Sequence, residues 1–211
     1  MAQTIAARKI KLHDLKERFG LQLTQDEAFF TEWCEDLPIS TAEEQRALDW
    51  IKRNYLYLLE YLVMGSIVKM VILSPLLDLA GFYGPPFRVD GERNIKVSAE
   101  DEGEVIQEYI DVVVIQRQIW VTTIEAKNSE FSITKAIPQT LAYMLAAPDL
   151  GKPAFDVVMN GSEFLFLKLI REATPLYATS NLFSLLNRGN DLYQVLSVLK
   201  QFRKLAIALR K

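Results

Sequence analysis

Cysteine and histidine each occur once in 211 residues, as Cys34 and His13. One cysteine rules out an intramolecular disulfide framework, and no charged-then-apolar leader opens the chain, so the expected setting is the reducing cytoplasm. Cys34 is then expected as a small buried hydrophobe. A Cys/His zinc centre, or a Ser-His-Asp or Cys-His triad, would need His13, which stands far from any candidate nucleophile motif, and those chemistries are set aside. No internal repeat or low-complexity stretch is visible. A basic excess is missing too: the net charge is -3 and the pI about 5.4, which argues against a surface coated for nucleic acid but not against a local basic groove. The densest cations, Lys200, Arg203, Lys204, Arg210 and Lys211, sit in the C-terminal run "LKQFRKLAIALRK", where the last turns of a helix favour positive charge.

A clean hydrophobic run of membrane length is also absent. The stretch "YLYLLEYLVMGSIVKMVIL" comes near it but contains Glu60 and Lys69, and a charge near the bilayer centre costs about 2.5 to 3.5 kcal/mol. No membrane association is expected; the stretch reads as a buried core helix. At 100° per residue Glu60 and Lys69 fall on opposite sides of it, so they cannot neutralise each other. Glu60 then needs another partner, either a salt bridge or partly exposed helix end, or a site at which its carboxylate is aimed.

What is present is a 50% hydrophobic, 24% charged chain, long enough for one domain with a sizeable core. A helix over about 12–19 ends at Gly20, and a second over about 25–35 follows the capping box Thr24 to Glu27. A helix pair joined by a glycine is more often a packing unit than a DNA-reading helix-turn-helix. The capping box Ser40 to Glu43 opens a long helix reaching about residue 73. After the loop "AGFYGPPFRVDG", the runs "NIKVS", "EVIQEYIDVVVIQ" and "IWVTTIEAK" switch to β-branched strand composition and read as a meander. A helix follows at about 134–147, with Thr134 as its cap and Pro138 tolerated near its start. "AFDVVM", the dipeptide Asn160-Gly161 and "EFLFLKLI" form a hairpin signal, and a helix from about 191 closes the chain. The fold class is α/β (α+β): a central mixed sheet of about five strands flanked by helices.

Side chains two apart on a strand share a face, so Glu125 and Lys127 of "IEAKN" stand side by side with Thr123. Asp111 interrupts the otherwise apolar "YIDVVVIQ". If the two strands pair through "QRQ", centred on Arg117, Asp111 faces Thr123 and lies diagonally next to Glu125, close enough for both carboxylates to reach one ion. That phase requires an odd number of unpaired link residues or a bulge. Two carboxylates fit a hard cation such as Mg²⁺, with Mn²⁺ as a substitute, and Lys127 beside it could orient a bound water. A cross-strand salt bridge from Lys127 to Glu125 or Asp111 explains the same residues without a metal.

Asp111, Glu125 and Lys127, placed on successive strands and followed by a helix containing "PQTLAY", resemble the catalytic motif of the PD-(D/E)XK nuclease superfamily, with Ile110 where many members have proline. The order of elements is similar to that family's core over roughly 43–170, and the chain looks like small proteins related to the nuclease region of type I restriction-enzyme R subunits. The resemblance implies a single restriction-endonuclease-like domain over 1–211, with a helical extension at 1–40 and a C-terminal helix at 189–211. It implies Mg²⁺-dependent hydrolysis of nucleic-acid phosphodiesters, DNA favoured. Asp111, Glu125 and the Ala126 carbonyl would be metal ligands and Glu60 an added ligand; Lys127 would act on the nucleophilic water. Gln139 would position phosphate, with Tyr143 beside it in the Q-x-x-x-Y element of the exonuclease-like branch. A homodimer or a partner subunit of a restriction system is a further implication. The alternative is a catalytically silent nuclease-fold protein acting as an interaction or regulatory subunit.

Overall fold

Leu12–Phe19 forms the first helix, α1, and Gly20 ends it in the left-handed conformation at φ 64°, its N–H donating to the Lys16 carbonyl. A computed structural model describes residues 4–6, 10–61, 65–98, 105–116, 119–123, 132–145 and 152–208; over 4–6, 91–98, 105–116 and 119–123 it describes the backbone alone.

The N-terminal segment is not purely helical. It opens with a short strand, β1 (Thr4–Ala6), and after α1 the pair Gln22–Leu23 forms β2. In place of a helix over 25–35 stands a four-residue 3-10 turn, Glu27–Phe30, capped by the Asp26 carboxylate on the Ala28 N–H. Thr24 bonds the Asp26 N–H rather than closing a capping box with Glu27. So short a turn offers no recognition helix, and the expected helix pair does not form.

The capping box of the next helix, α2 (Ala42–Leu58), is Thr41 with Glu44, one residue beyond the expected one. This helix stops at Leu58 instead of running to 73. Gly65–Val68 (α3), a π-helical turn at Lys69–Leu73 and α4 (Ser74–Leu79) then follow end to end as one helix with a π-turn inside it.

A meander forms, with its first strand beginning inside the expected loop: β3 (Arg88–Ser98), β4 (Val105–Gln116) and β5 (Ile119–Thr123), all antiparallel, with β1 parallel to β4. Then come α5 (Ile133–Leu145), the strands β6 (Pro153–Met159), β7 (Glu163–Ile170), β8 (Leu176–Thr179) and β9 (Phe183–Ser184), and α6 (Leu192–Ala208). Strands β2, β8, β7 and β6 run side by side, with β9 also on β7, as a mixed five-stranded sheet. It is flanked by helices, and β5 lies against β6.

Both faces of that sheet are buried, which is why "AFDVVM" and "EFLFLKLI" read as continuous apolar runs. Phe155, Val157, Phe164 and Phe166 pack with α2, α4 and α6 on one side; Ala154, Val158, Leu165 and Leu167 pack with α1 and α5 on the other. Phe202 of α6 stacks at 4.5 Å on Phe155 and meets Phe166 edge-on at 5.6 Å. The β6–β7 hairpin turns on Gly161, at φ 90° between Asn160 and Ser162, and Met159 pairs with Phe164. A positive-φ glycine at the first central position is the type II′ pattern, so the turn centres one residue later than Asn160-Gly161.

Candidate functional site

Asp111 lies within β4, and its place there is set by register. Val112 pairs with Thr123, Val113 with Thr122 and Gln116 with Ile119. The hairpin thus has two residues between its last partners, not the three of "QRQ", and Asp111 is in phase with Val113 and Thr122. The expected pairing of Asp111 with Thr123 is corrected by one residue. The cause is turn length: a two-residue link closes a tight hairpin, and each one-residue slip exchanges the faces of a strand. On the other side, Gly91 pairs with Val112 and Arg93 with Ile110, so Glu92 takes the register position across from Asp111. Glu125, Ala126 and Lys127 lie outside the described residues.

Gln139 and Tyr143 do share a face of α5. Gln139 is partly exposed, and its Nε2 donates to the Tyr143 hydroxyl at 2.5 Å. Tyr143 is itself buried in the layer between α5 and the sheet. The residue expected to meet substrate is thus part of the core and braces Gln139. Pro138 sits inside α5, past the first turn, because the helix begins at Ile133 rather than Thr134.

Glu60 is exposed. It sits in the turn after α2, its N–H donating to the Tyr57 carbonyl at 3.3 Å, so the desolvation that would have called for a partner is absent. Of the C-terminal cations, Lys200 bonds Glu44, and Arg203 donates to the Gly81 carbonyl and lies over the Phe87 ring. Two charges of that run are therefore structural ties between elements; Arg210 and Lys211 lie outside the described residues. Cys34 is exposed rather than buried, and partial burial with the nearby Glu35 and Glu32 carboxylates pushes its thiol above the usual range. Such a thiol is a poor nucleophile.

One carboxylate escaped the sequence reading. Asp156 on β6, beside β5, is fully buried between Ala154 and Val158 on the α5 side, and its Oδ1 accepts from the Val157 N–H at 2.6 Å. Thr140 of α5 is also fully buried, with no hydrogen-bond partner for its hydroxyl among the described residues. The signal was available: Asp156 interrupts "AFDVVM" as Asp111 interrupts "YIDVVVIQ". Among the described residues, no group of three or more His, Cys, Asp or Glu side chains is placed to hold a metal. Among them, too, no helix is long and apolar enough to cross a membrane.

No family model and no curated protein matches the chain.

Proposed function

We propose that the chain has a restriction-endonuclease-like core and hydrolyses phosphodiester bonds of nucleic acid, DNA favoured, with Mg²⁺ held by Asp111, Glu125 and the Ala126 carbonyl. What supports this reading is the placement of the motif. Asp111 lies in the middle strand of the β3–β4–β5 meander, Glu125-Ala-Lys127 comes just after β5 in the sequence, and α5 then carries the Gln139–Tyr143 pair on the way to β6 beside β5. The donor set, two carboxylates and a carbonyl oxygen, suits a hard cation. Bound there, Mg²⁺ would offset charge developing on the phosphate and acidify water. Lys127 would hold that water in line, and Gln139, braced by Tyr143, would orient a phosphate oxygen.

The register sets a condition. Glu125 joins Asp111 only if one extra residue enters the strand after Thr123, as in a β-bulge, a feature that strands near active sites often use to re-aim a side chain. The same observation favours a second reading, a silent nuclease-fold protein serving as an interaction or regulatory subunit, in which regular pairing continues and the two carboxylates stay apart.

A gel assay with single- and double-stranded DNA and RNA, in Mg²⁺, in Mn²⁺ and in EDTA, separates the two. Metal-dependent cleavage lost in Asp111→Ala supports the nuclease; no cleavage of any substrate supports the silent reading.

A further inference from the structure

The five-stranded sheet has an open edge. At one end of the order β2–β8–β7–β6, strand β6 is met by β5; at the other, β2 pairs with β8 alone among the described residues. The Gln22 and Thr24 N–H groups donate to the Pro175 and Tyr177 carbonyls at 2.9 and 3.0 Å. Alternation along the strand then turns the N–H and C=O of Leu23 outward, a donor and an acceptor that no other described backbone completes.

Beside that edge, between α1 and β2, lies an open cavity of about 500 Å³, lined by Leu12, His13 and Lys16 of α1, by Leu21 and Leu23, and by Tyr177. Tyr177 is only 8% exposed, yet its hydroxyl reaches solvent and has no hydrogen-bond partner among the described residues. Burial pushes that phenol above its usual range, so it stands as an O–H donor. A nearly buried donor left unpaired calls for an acceptor from outside. The charged and titratable partners around it are His13 and Lys16, and no carboxylate of the described residues lines the cavity. Leu12 and Leu23, 40% and 53% exposed, add apolar surface at its mouth.

The backbone edge is completed by another extended chain, the unpaired phenol and its neighbouring cations by a carboxylate, and the leucines by an aliphatic side chain. A nucleic-acid strand lacks the aliphatic group, and a second copy of this edge would bring the same cations together. We propose that β2 receives an extended peptide as an added outer strand, its Asp or Glu side chain accepting from Tyr177 beside His13 and Lys16, and an aliphatic residue two places away resting on Leu12 and Leu23. Side chains two apart share a face, so both enter the cavity. At the opposite end of the sheet from β5, this edge requires neither the metal nor nuclease activity.

Random eight-residue peptides displayed on phage and selected on the full chain should enrich sequences with Asp or Glu two places from an aliphatic residue. The best of them, labelled with fluorescein, should bind in fluorescence polarisation. Tyr177→Phe should weaken it ~10-fold or more, as loss of a hydrogen bond to a charged group does. Lys16→Glu should weaken it several-fold, and a peptide with lysine in place of the acid should bind Lys16→Glu better than the parent. Of two successive peptide amides, N-methylation should abolish binding at one and leave it at the other, because alternate amides face β2. A selection that enriches nothing overturns the proposal. So does a peptide that binds Tyr177→Phe and Lys16→Glu like the parent, or one that tolerates methylation at both amides. A single-stranded oligonucleotide that displaces the selected peptide from the parent and fails to bind Lys16→Glu would assign the groove to nucleic acid instead.

Discussion

Val112 stands opposite Thr123 across the β4–β5 hairpin, which leaves Asp111 out of phase with Thr123 by one residue. A metal shared by Asp111 and Glu125 requires that phase to be restored beyond Thr123. In calorimetric titration with Mn²⁺, Asp111→Asn and Glu125→Gln should then each weaken binding by more than the ~100-fold that loss of a mere outer-shell partner can cause. Binding that survives Glu125→Gln unchanged would mean that regular pairing persists and that the two carboxylates do not share an ion.

Lys127 tests the division of labour within the same motif. Lys127→Ala should leave Mn²⁺ affinity equal or slightly raised, because it deletes a nearby positive charge. Single-turnover cleavage should fall by ~10² or more from lost electrostatic stabilisation. Parent-like cleavage would make Lys127 a salt-bridge partner only.

Local signals in the sequence carried most of the fold. Gly20 ended α1 because only a left-handed residue closes that helix cheaply, and the β-branched runs formed the meander because they bury well on a pleated surface. Long-range features were not legible. Strand β2 exists only because it pairs in parallel with β8, 22 with 176, and two residues carry no strand signal of their own. Of the candidate site, the strand that carries Asp111 was readable; Glu125 and Lys127 lie outside the described residues. The phase between Asp111 and Thr123 was not, since it depends on link length and one residue reverses it. Hydrophobicity misled around Glu60: an apolar run suggested a continuous buried helix, whereas the chain turns after Leu58 and leaves the carboxylate exposed, as the exposed-helix-end reading allowed.

Lys168 ties the 3-10 turn to the sheet. Its ammonium donates at 2.6 Å to both the Glu32 carboxylate and the Phe29 carbonyl, and the two charged side chains are only 10% and 19% exposed. Glu32→Ala strands a buried ammonium and should destabilise the fold by roughly 3 kcal/mol. Lys168→Met should cost less, because the new side chain is apolar and the Glu32 carboxyl it leaves can take up a proton. Urea denaturation of both variants checks the order; the reverse order would show that Lys168 is held chiefly by Phe29 and the ring faces around it.

Gly161 admits no side chain. A Cβ there would stand 2.9 Å from both the Tyr55 hydroxyl and Val68 Cγ2, and its φ of +90° is itself unfavourable for any other residue. Gly161→Ala should cost at least ~1–3 kcal/mol from backbone strain alone, visible as a lower urea midpoint with an unchanged slope. Parent-like stability would mean that the β6–β7 turn and α2 separate without loss.

Asp49 and Tyr193 link α2 to α6, and together they should set both limbs of stability against pH. The Tyr193 hydroxyl donates to Asp49 Oδ1 at 2.6 Å and Asn190 Nδ2 donates to the same atom at 3.0 Å. Those two bonds, with help from Arg53 and Lys52, hold the Asp49 carboxyl below its usual range, while the same bond to Asp49 raises the Tyr193 hydroxyl. A depressed acid contributes fully above its unfolded value, about 3.9, and the contribution is lost as pH falls through the folded value. A raised phenol contributes fully below its unfolded value, about 10, and the contribution is lost as pH rises through the folded value. Tyr193→Phe removes the shared bond, so thermal melts across pH should show its deficit largest in the neutral plateau and shrinking toward both extremes. Glu44, held low by Lys200, keeps part of the acid limb in either protein. Parallel melting curves for parent and variant over the whole range would show that the Tyr193–Asp49 bond has no net effect on folding.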